Sequence, residues 1–214
     1  GDIYRLSVGG KVTRVASGFA FPNGLDVDPA SKFLYLIESQ SKKILRLALP
    51  ASDDAPLGAP ELFYDLGGSG GDGCVFDAEG NLWVADFHRP DTKKGRITVL
   101  SPAGKVLGQL DVPAQVVSNI TFGGTNHDEI FCTTGTPDGV FHAKVGVKGF
   151  AGHPGAELKP LRTLATAPPP FPPHTSGLRD IAHLWQASNR ARTAAPSIAP
   201  RNASGGGDRS EEHT

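Results

Sequence analysis

Three oxygen-bearing side chains recur at a steady interval in this sequence: Asn23, Asp72 and Asn119 stand 49 and then 47 residues apart. Each opens an apolar run, as Asn23-Gly24-Leu25-Asp26-Val27-Asp28, Asp72-Gly73-Cys74-Val75-Phe76-Asp77 and Asn119-Ile120-Thr121-Phe122-Gly123-Gly124. Gathered around one point, such residues would suit a hard cation such as Ca2+, which takes about 6–8 oxygen ligands. Asn would contribute a neutral carbonyl oxygen and Asp a charge. A competing reading needs no ligand. Asn-Gly and Asp-Gly are also ordinary turn chemistry, because Asn and Asp tolerate left-handed backbone and glycine permits it freely.

The elements that would gather these residues are strands. Each of the three runs leads to a second apolar run, Phe33–Ile37, Asn81–Ala85 and Glu129–Thr133, and then to a third, Lys43–Leu47, Gly95–Leu100 and Gly139–Ala143. Turn residues separate the first and second runs: Asp28-Pro29-Ala30-Ser31, Asp77-Ala78-Glu79-Gly80 and Thr125-Asn126-His127-Asp128. Glu61–Asp65 and Val106–Leu110 fit a fourth strand. Four antiparallel strands repeated every ~40–50 residues is the signature of a β-propeller blade. A β-sandwich would not demand so constant a period. In a propeller the first strand of each blade is expected innermost, which would set Asn23, Asp72 and Asn119 around the mouth of a central channel.

These motifs resemble the gluconolactonase/regucalcin family. The resemblance rests on Phe21-Pro22-Asn23-Gly24-Leu25, on Gly71-Asp72-Gly73 followed by Asp77-Ala78-Glu79-Gly80-Asn81-Leu82-Trp83-Val84-Ala85, and on Ser118–Gly124, in that order and spacing. It covers roughly residues 1–150 and implies a six-bladed propeller with a divalent cation, usually Ca2+, at the centre of one face. By resemblance Asn23 and Asp72 are metal ligands, and Asp72 is also the catalytic base for attack by water. Asn119 matches a family signature residue rather than a ligand. The implied activity is hydrolysis of a small-molecule lactone or related ester. The alternatives are a non-catalytic propeller binding module and a metal-free relative of the strictosidine-synthase type. The family's Glu-bearing opening motif and a further ligand Asn do not precede residue 23. The expectation is therefore a fragment of about three blades, with half a metal site and no activity of its own.

Composition narrows the classes further. Of 214 residues, 21 are basic and 22 acidic, for a formal net charge of -1, so nothing marks a nucleic-acid partner. No run approaches the ~18 apolar residues of a membrane span. The chain holds no Met and opens directly in a strand-like run, Gly1–Leu6, so the start reads as cut within a domain and points to no compartment. Oligomeric state is likewise not encoded in any motif. Cys74 and Cys132 sit in apolar runs and read as small buried side chains.

The remaining motifs carry less. Gly67-Gly68-Ser69-Gly70-Gly71 reads as a flexible lip beside Asp72, since no Lys-Ser/Thr follows it as a phosphate loop requires. His88 and His127 fall in loops and read as turn residues. Residues 151–214 change character: they are rich in Pro, Gly and Ala, and 163–214 are expected to be mostly unstructured. Leu178, Ile181, Leu184 and Trp185 suggest one short amphipathic helix around Ser176–Asn189. The final Arg209-Ser210-Glu211-Glu212-His213-Thr214 resembles a translated sequencing adapter, so no function is attached to this tail.

Overall fold

The computed structural model describes residues 1–7, 10–52, 55–68, 70–87, 94–152 and 179–180. Its strands are β1 (Asp2–Leu6), β2 (Val12–Ser17), β3 (Pro22–Val27), β4 (Phe33–Glu38), β5 (Lys43–Ala48), β6 (Glu61–Asp65) and β7 (Cys74–Phe76). Then follow β8 (Leu82–Asp86), β9 (Arg96–Leu100), β10 (Val106–Asp111), β11 (Val116–Gly123), β12 (Glu129–Gly135), β13 (Gly139–Lys144) and β14 (Arg179–Asp180). They form a two-stranded sheet, β1-β2, and three four-stranded sheets in the orders β3-β4-β5-β6, β7-β8-β9-β10 and β11-β12-β13-β14. Pairing is antiparallel throughout except for β14, which adds to β13 in parallel. No helix lies among the described residues, and none there is long and apolar enough to cross a membrane.

The sheets stack face to face, and the alternation along their second strands shows how. In β4, Leu34 and Leu36 turn to one side, where they meet Ile3, Val15 and Phe19. Tyr35 and Ile37 turn to the other, against Phe76, Leu82 and Val84 of the next sheet. In β8, Leu82 and Val84 join that layer, whereas Trp83 and Ala85 face Val117, Ile120, Phe122 and Ile130 of the third sheet. A strand covered on both faces must be apolar at every position, which is why these segments read as continuous runs. Each fully buried Leu or Ile contributes about 1.5–3 kcal/mol, so these layers hold the blades in register. The second face of the third sheet is different: Phe131, Thr133 and Val140 line an open cavity there, and Val140 keeps 40% of its surface exposed.

Turns at the far end of the three inner strands repeat one geometry. Ser31 (φ 53°), Gly80 (φ 83°) and His127 (φ 56°) each take left-handed backbone and donate their N–H three residues back, to Asp28, Asp77 and Gly124. Asp77 is the buried hub of the middle turn. It accepts from Glu79 N, Asn81 N, Asn81 Nδ2 and the indole Nε1 of Trp83, all at 2.8–3.0 Å. His127 therefore serves the fold: its Nε2 lies 3.3 Å from the Phe150 carbonyl, in the turn that follows β11, whereas Asn119 lies within that strand.

Two elements were not expected. β2 completes a hairpin with β1. Residues 145–150 then form a strap under the second and third sheets, where Ala78 N donates to Lys148 O, Gly149 N to His127 O and Phe150 N to Phe76 O. One expectation is corrected. At Arg179–Asp180, inside the proposed helix of Ser176–Asn189, the backbone is extended and pairs with Phe141 and His142, because the outer edge of β13 offers it hydrogen bonds. The rest of the tail and His88 lie outside the described residues.

Candidate active site at the channel mouth

The mouth is built by three inner strands that run side by side. Gly24 N donates to the Asp72 carbonyl at 2.9 Å, and Gly73 N donates to the Ser118 carbonyl at 3.0 Å. Deeper in, Phe76 N donates to the Asp26 carboxylate at 3.1 Å. These links join the blades directly at their inner edges and bring Asn23, Asp72 and Asn119 to one rim.

The glycines after Asn23 and Asp72 follow from this closeness. Neither Gly24 nor Gly73 has left-handed backbone, so the turn reading of Asn-Gly and Asp-Gly does not hold here. A Cβ on Gly24 would stand 2.2 Å from the Asp72 carbonyl oxygen and 2.9 Å from Gly73 Cα. A Cβ on Gly73 would stand 2.1 Å from Asn119 Oδ1 and 2.9 Å from Asn119 Cα. Only a residue without a side chain lets neighbouring inner strands approach this far.

The Asn23 side chain adjoins the Asp72 carboxylate. Asp72 is half-buried, and this burial raises its pKa above the ordinary carboxylate value; the polar Asn23 side chain beside it pulls the other way and is the smaller effect. Asn119 stands next to Gly73, and its Oδ1 accepts from its own chain at Ile120 N, 2.8 Å away, which ties one lone pair to the strand.

The rim has a packed frame. Ser39 Oγ donates to the Gly71 carbonyl at 2.6 Å, just before Asp72. Gly70 and Gly71 are buried, and a Cβ on Gly70 would meet the Ser39 carbonyl at 2.6 Å. Gly70 and Gly71 are therefore a fitted ledge rather than a flexible lip, whereas Gly67 stands in open space and Gly68 is exposed. At the mouth end of β4, Glu38 accepts from Ala20 N at 2.7 Å and from the Ser41 hydroxyl, which braces the loop leading into Asn23. Glu38 and Ser39 escaped notice in the sequence because they close an apolar run outside the Asn-Gly and Asp-Gly motifs; the second blade's equivalent of Glu38 is Asp86. On the second blade, buried Asp86 pairs with Arg96 and accepts from Thr98 Oγ1 at 3.1 Å.

As a place for a cation, the mouth offers a partial set. Asn23 and Asp72 are oxygen donors of low total charge, the kind a hard divalent ion takes. Two donors fall well short of ~6–8, and the described residues hold no cluster of three or more acidic, imidazole or thiol groups. Below the mouth the channel opens into a cavity of about 420 Å3, lined by Leu25, Asp26, Cys74, Asn119 and Thr121 and by the open face of the third sheet. Cys74 and Cys132 are free thiols there; burial pushes Cys74 far up and Cys132 to about 11, so neither is a nucleophile at neutral pH.

Radially stacked four-stranded blades, joined at inner strands that present an acid–amide pair, define a β-propeller with a polar mouth on its axis. Comparison with known proteins gives the family. Residues 1–136 match the SMP-30/gluconolactonase/LRE-like region, and the chain belongs to that family. A Haloferax volcanii pentonolactonase, XacC, is 30% identical over 173 residues, covering 80% of this chain and 57% of that protein. An uncharacterised Sulfolobus acidocaldarius protein is 34% identical over 160 residues, covering 70% of this chain and 54% of its own length. The chain thus spans about half the length of the curated relatives it matches.

Solved structures agree. A luciferin-regenerating enzyme superposes with a TM-score of 0.62 at 28% identity, over 71% of this chain and 54% of that one. A calcium-binding protein from Agrobacterium tumefaciens, regucalcin, does so with a TM-score of 0.55 at 26% identity, over 64% and 45%.

Proposed function

We propose that this chain is part of a divalent-cation-dependent hydrolase of lactones or related esters, and that Asn23 and Asp72 are its share of the active site. The observation that carries the reading is the Asn23–Asp72 pair brought together where the inner strands converge, with Gly24 N bonded to the Asp72 carbonyl at 2.9 Å, in a chain whose named relatives include lactonases.

Lactone opening adds water across the acyl C–O bond: the water oxygen bonds the carbonyl carbon, the ring C–O bond breaks, and the ring oxygen leaves as a hydroxyl. Asp72 would take the proton of the attacking water on a carboxylate oxygen, and its burial makes it a better base than an exposed Asp. Asn23 orients that carboxylate through its amide, and keeps the local charge low. A bound cation would supply Lewis-acid polarisation of the carbonyl. With only two donors from this chain, Ca2+ binding and turnover are expected to need further ligands, so the chain alone is expected to be inactive.

Hydrolysis of glucono-1,5-lactone, followed by acid release, tests this on the chain and on the product of the complete reading frame that encodes it. The reading expects turnover by the latter, abolished by chelation and by Asp72→Asn. Turnover that survives both would overturn it.

A further inference from the structure

Asp72 stands in a stretch rich in glycine, with Gly67, Gly68, Gly70, Gly71 and Gly73 around it, where the backbone has little conformational preference of its own. It is nonetheless pinned on both sides. A peptide unit is planar, so holding its N–H and its C=O holds the whole plane. Ahead of Asp72, its N–H donates to the Ala85 carbonyl at 2.9 Å, and the Gly71 carbonyl accepts from Ser39 Oγ at 2.6 Å. Behind it, the Asp72 carbonyl accepts from Gly24 N at 2.9 Å, and Gly73 N donates to the Ser118 carbonyl at 3.0 Å. Two fixed planes fix the torsion angles between them, and with these the direction in which the Asp72 Cα–Cβ bond leaves the chain. Three of the four links join backbone to backbone; the fourth is the Ser39 hydroxyl. Ser39 is itself held, since its N–H donates to the Phe21 carbonyl at 3.1 Å and its carbonyl accepts from Lys42 N at 3.2 Å. The second blade repeats the backbone part of this device. Phe87 follows Asp86 as Ser39 follows Glu38, and its N–H donates to the Gly70 carbonyl at 3.1 Å, but its side chain has no hydroxyl. The hydroxyl thus falls at the blade junction that carries the carboxylate.

We propose that Ser39 is a positioning residue for the hydrolysis: its hydroxyl clamps the Gly71–Asp72 peptide so that the Asp72 carboxylate keeps one direction at the mouth. This rests on the assignment of the Asn23–Asp72 mouth as the hydrolytic site, and adds to it a residue that acts without touching substrate. A catalytic group must be held within about 0.5 Å and 10–20° of its working geometry, which calls for hydrogen-bonded support behind it. Without the hydroxyl the Gly71 carbonyl is released, and the peptide can rock at Gly71, where no Cβ opposes the rotation. Alanine at position 39 keeps both backbone bonds of that residue, so the clamp can be removed alone.

The test compares Ser39→Ala and Ser39→Thr in the product of the complete reading frame. The control is Ser101→Ala, which removes a hydroxyl that accepts from Lys105 N at 3.1 Å in the turn after β9. From the net worth of one hydrogen bond, Ser39→Ala is expected to lower kcat on glucono-1,5-lactone about 3- to 10-fold, with KM within about twofold. Hydrogen exchange at the Asp72 amide should quicken by a similar factor. Ser39→Thr keeps the hydroxyl and should restore both. Ser101→Ala should leave both unchanged even where it lowers the urea midpoint, which separates positioning from stability. In Ser39→Ala, a kcat within about twofold or unchanged exchange at Asp72, with Asp72→Asn inactive, overturns the clamp and leaves the site standing. Ser39→Thr as impaired as Ser39→Ala, or an equal loss of kcat in Ser101→Ala, overturns it as well. Absence of lactone turnover, or turnover untouched by Asp72→Asn, removes the site and the clamp together.

Discussion

Replacing Gly24 with alanine tests whether the inner strands really touch as the mouth requires. The new Cβ would lie 2.2 Å from the Asp72 carbonyl oxygen and 2.9 Å from Gly73 Cα. Both are backbone atoms, so no rotamer change relieves the contact; the first and second blades must separate at their inner edge. Overpacking of this kind costs about 1–3 kcal/mol. Moving the strands also weakens the 2.9 Å bond from Gly24 N to Asp72 O, worth about 0.5–1.5 kcal/mol. Against this, Gly→Ala lowers the entropy of the unfolded chain and returns about 0.4–1 kcal/mol. The net expectation is a loss of about 1–3 kcal/mol, read as a lower urea midpoint with unchanged slope. Gly135→Ala is the control. Its Cβ would meet nothing nearer than 3.8 Å, its backbone is not left-handed, and its effect should stay within about 0.5 kcal/mol of neutral or be stabilising. Gly24→Asn sharpens the choice, since a turn tolerates Asn and a close approach does not. A neutral or stabilising Gly24→Ala, or a Gly24→Asn milder than Gly24→Ala, would refute the reasoning.

Further expectations concern neighbouring groups. Gly73→Ala should be destabilising too, but Asn119→Ala should partly rescue it, because the nearest atoms it meets, at 2.1 and 2.7 Å, belong to the Asn119 side chain; additivity of the two substitutions would contradict the contact. Asp72 binds its proton more tightly folded than unfolded, so its contribution to stability is present below the unfolded pKa and lost as pH rises through the folded one. Asp72→Asn should accordingly raise the urea midpoint near neutral pH without divalent cations and flatten that part of the pH profile; a lower midpoint would count against burial as the dominant cause. Asp77→Ala strips the acceptor from four donors, including the buried Trp83 indole, and should cost about 3 kcal/mol or more, followed by Trp fluorescence. Asp86→Ala leaves Arg96 without its buried partner and should cost about 3–5 kcal/mol, measured the same way; a loss under about 1 kcal/mol would show the pair to be solvent-screened.

Much of this fold was legible because a blade is a local object. Its strands alternate or run apolar according to how many faces are covered, and its turns carry Ser31, Gly80 and His127 at matching places. The first and second runs of the repeat became β3 and β4, β7 and β8, and β11 and β12 with shifts of a few residues at most. β2 went unread because no Asn-Gly or Asp-Gly marks its start. The strap at 145–150 went unread because Gly146 and Gly149 look like loop residues; Gly149 is required there since a Cβ would fall 2.2 Å from that of Phe122. The site was legible in type and not in geometry. Spacing nominated Asn23 and Asp72, yet whether the following glycine serves a turn or a close approach depends on a strand about 50 residues away. Phe21 was legible as the first residue of the Phe21–Leu25 motif but its left-handed backbone was not, since Glu38 and Ser39 hold it from the neighbouring strand end.

Calcium titration by calorimetry of the product of the complete reading frame is the most direct test of the mouth as the functional centre. The account expects a site that is lost or greatly weakened in both Asn23→Ala and Asp72→Asn and kept in Asn119→Ala, whose side-chain oxygen is already engaged by Ile120 N. Calcium binding indifferent to Asn23 and Asp72, or abolished by Asn119→Ala alone, would contradict it.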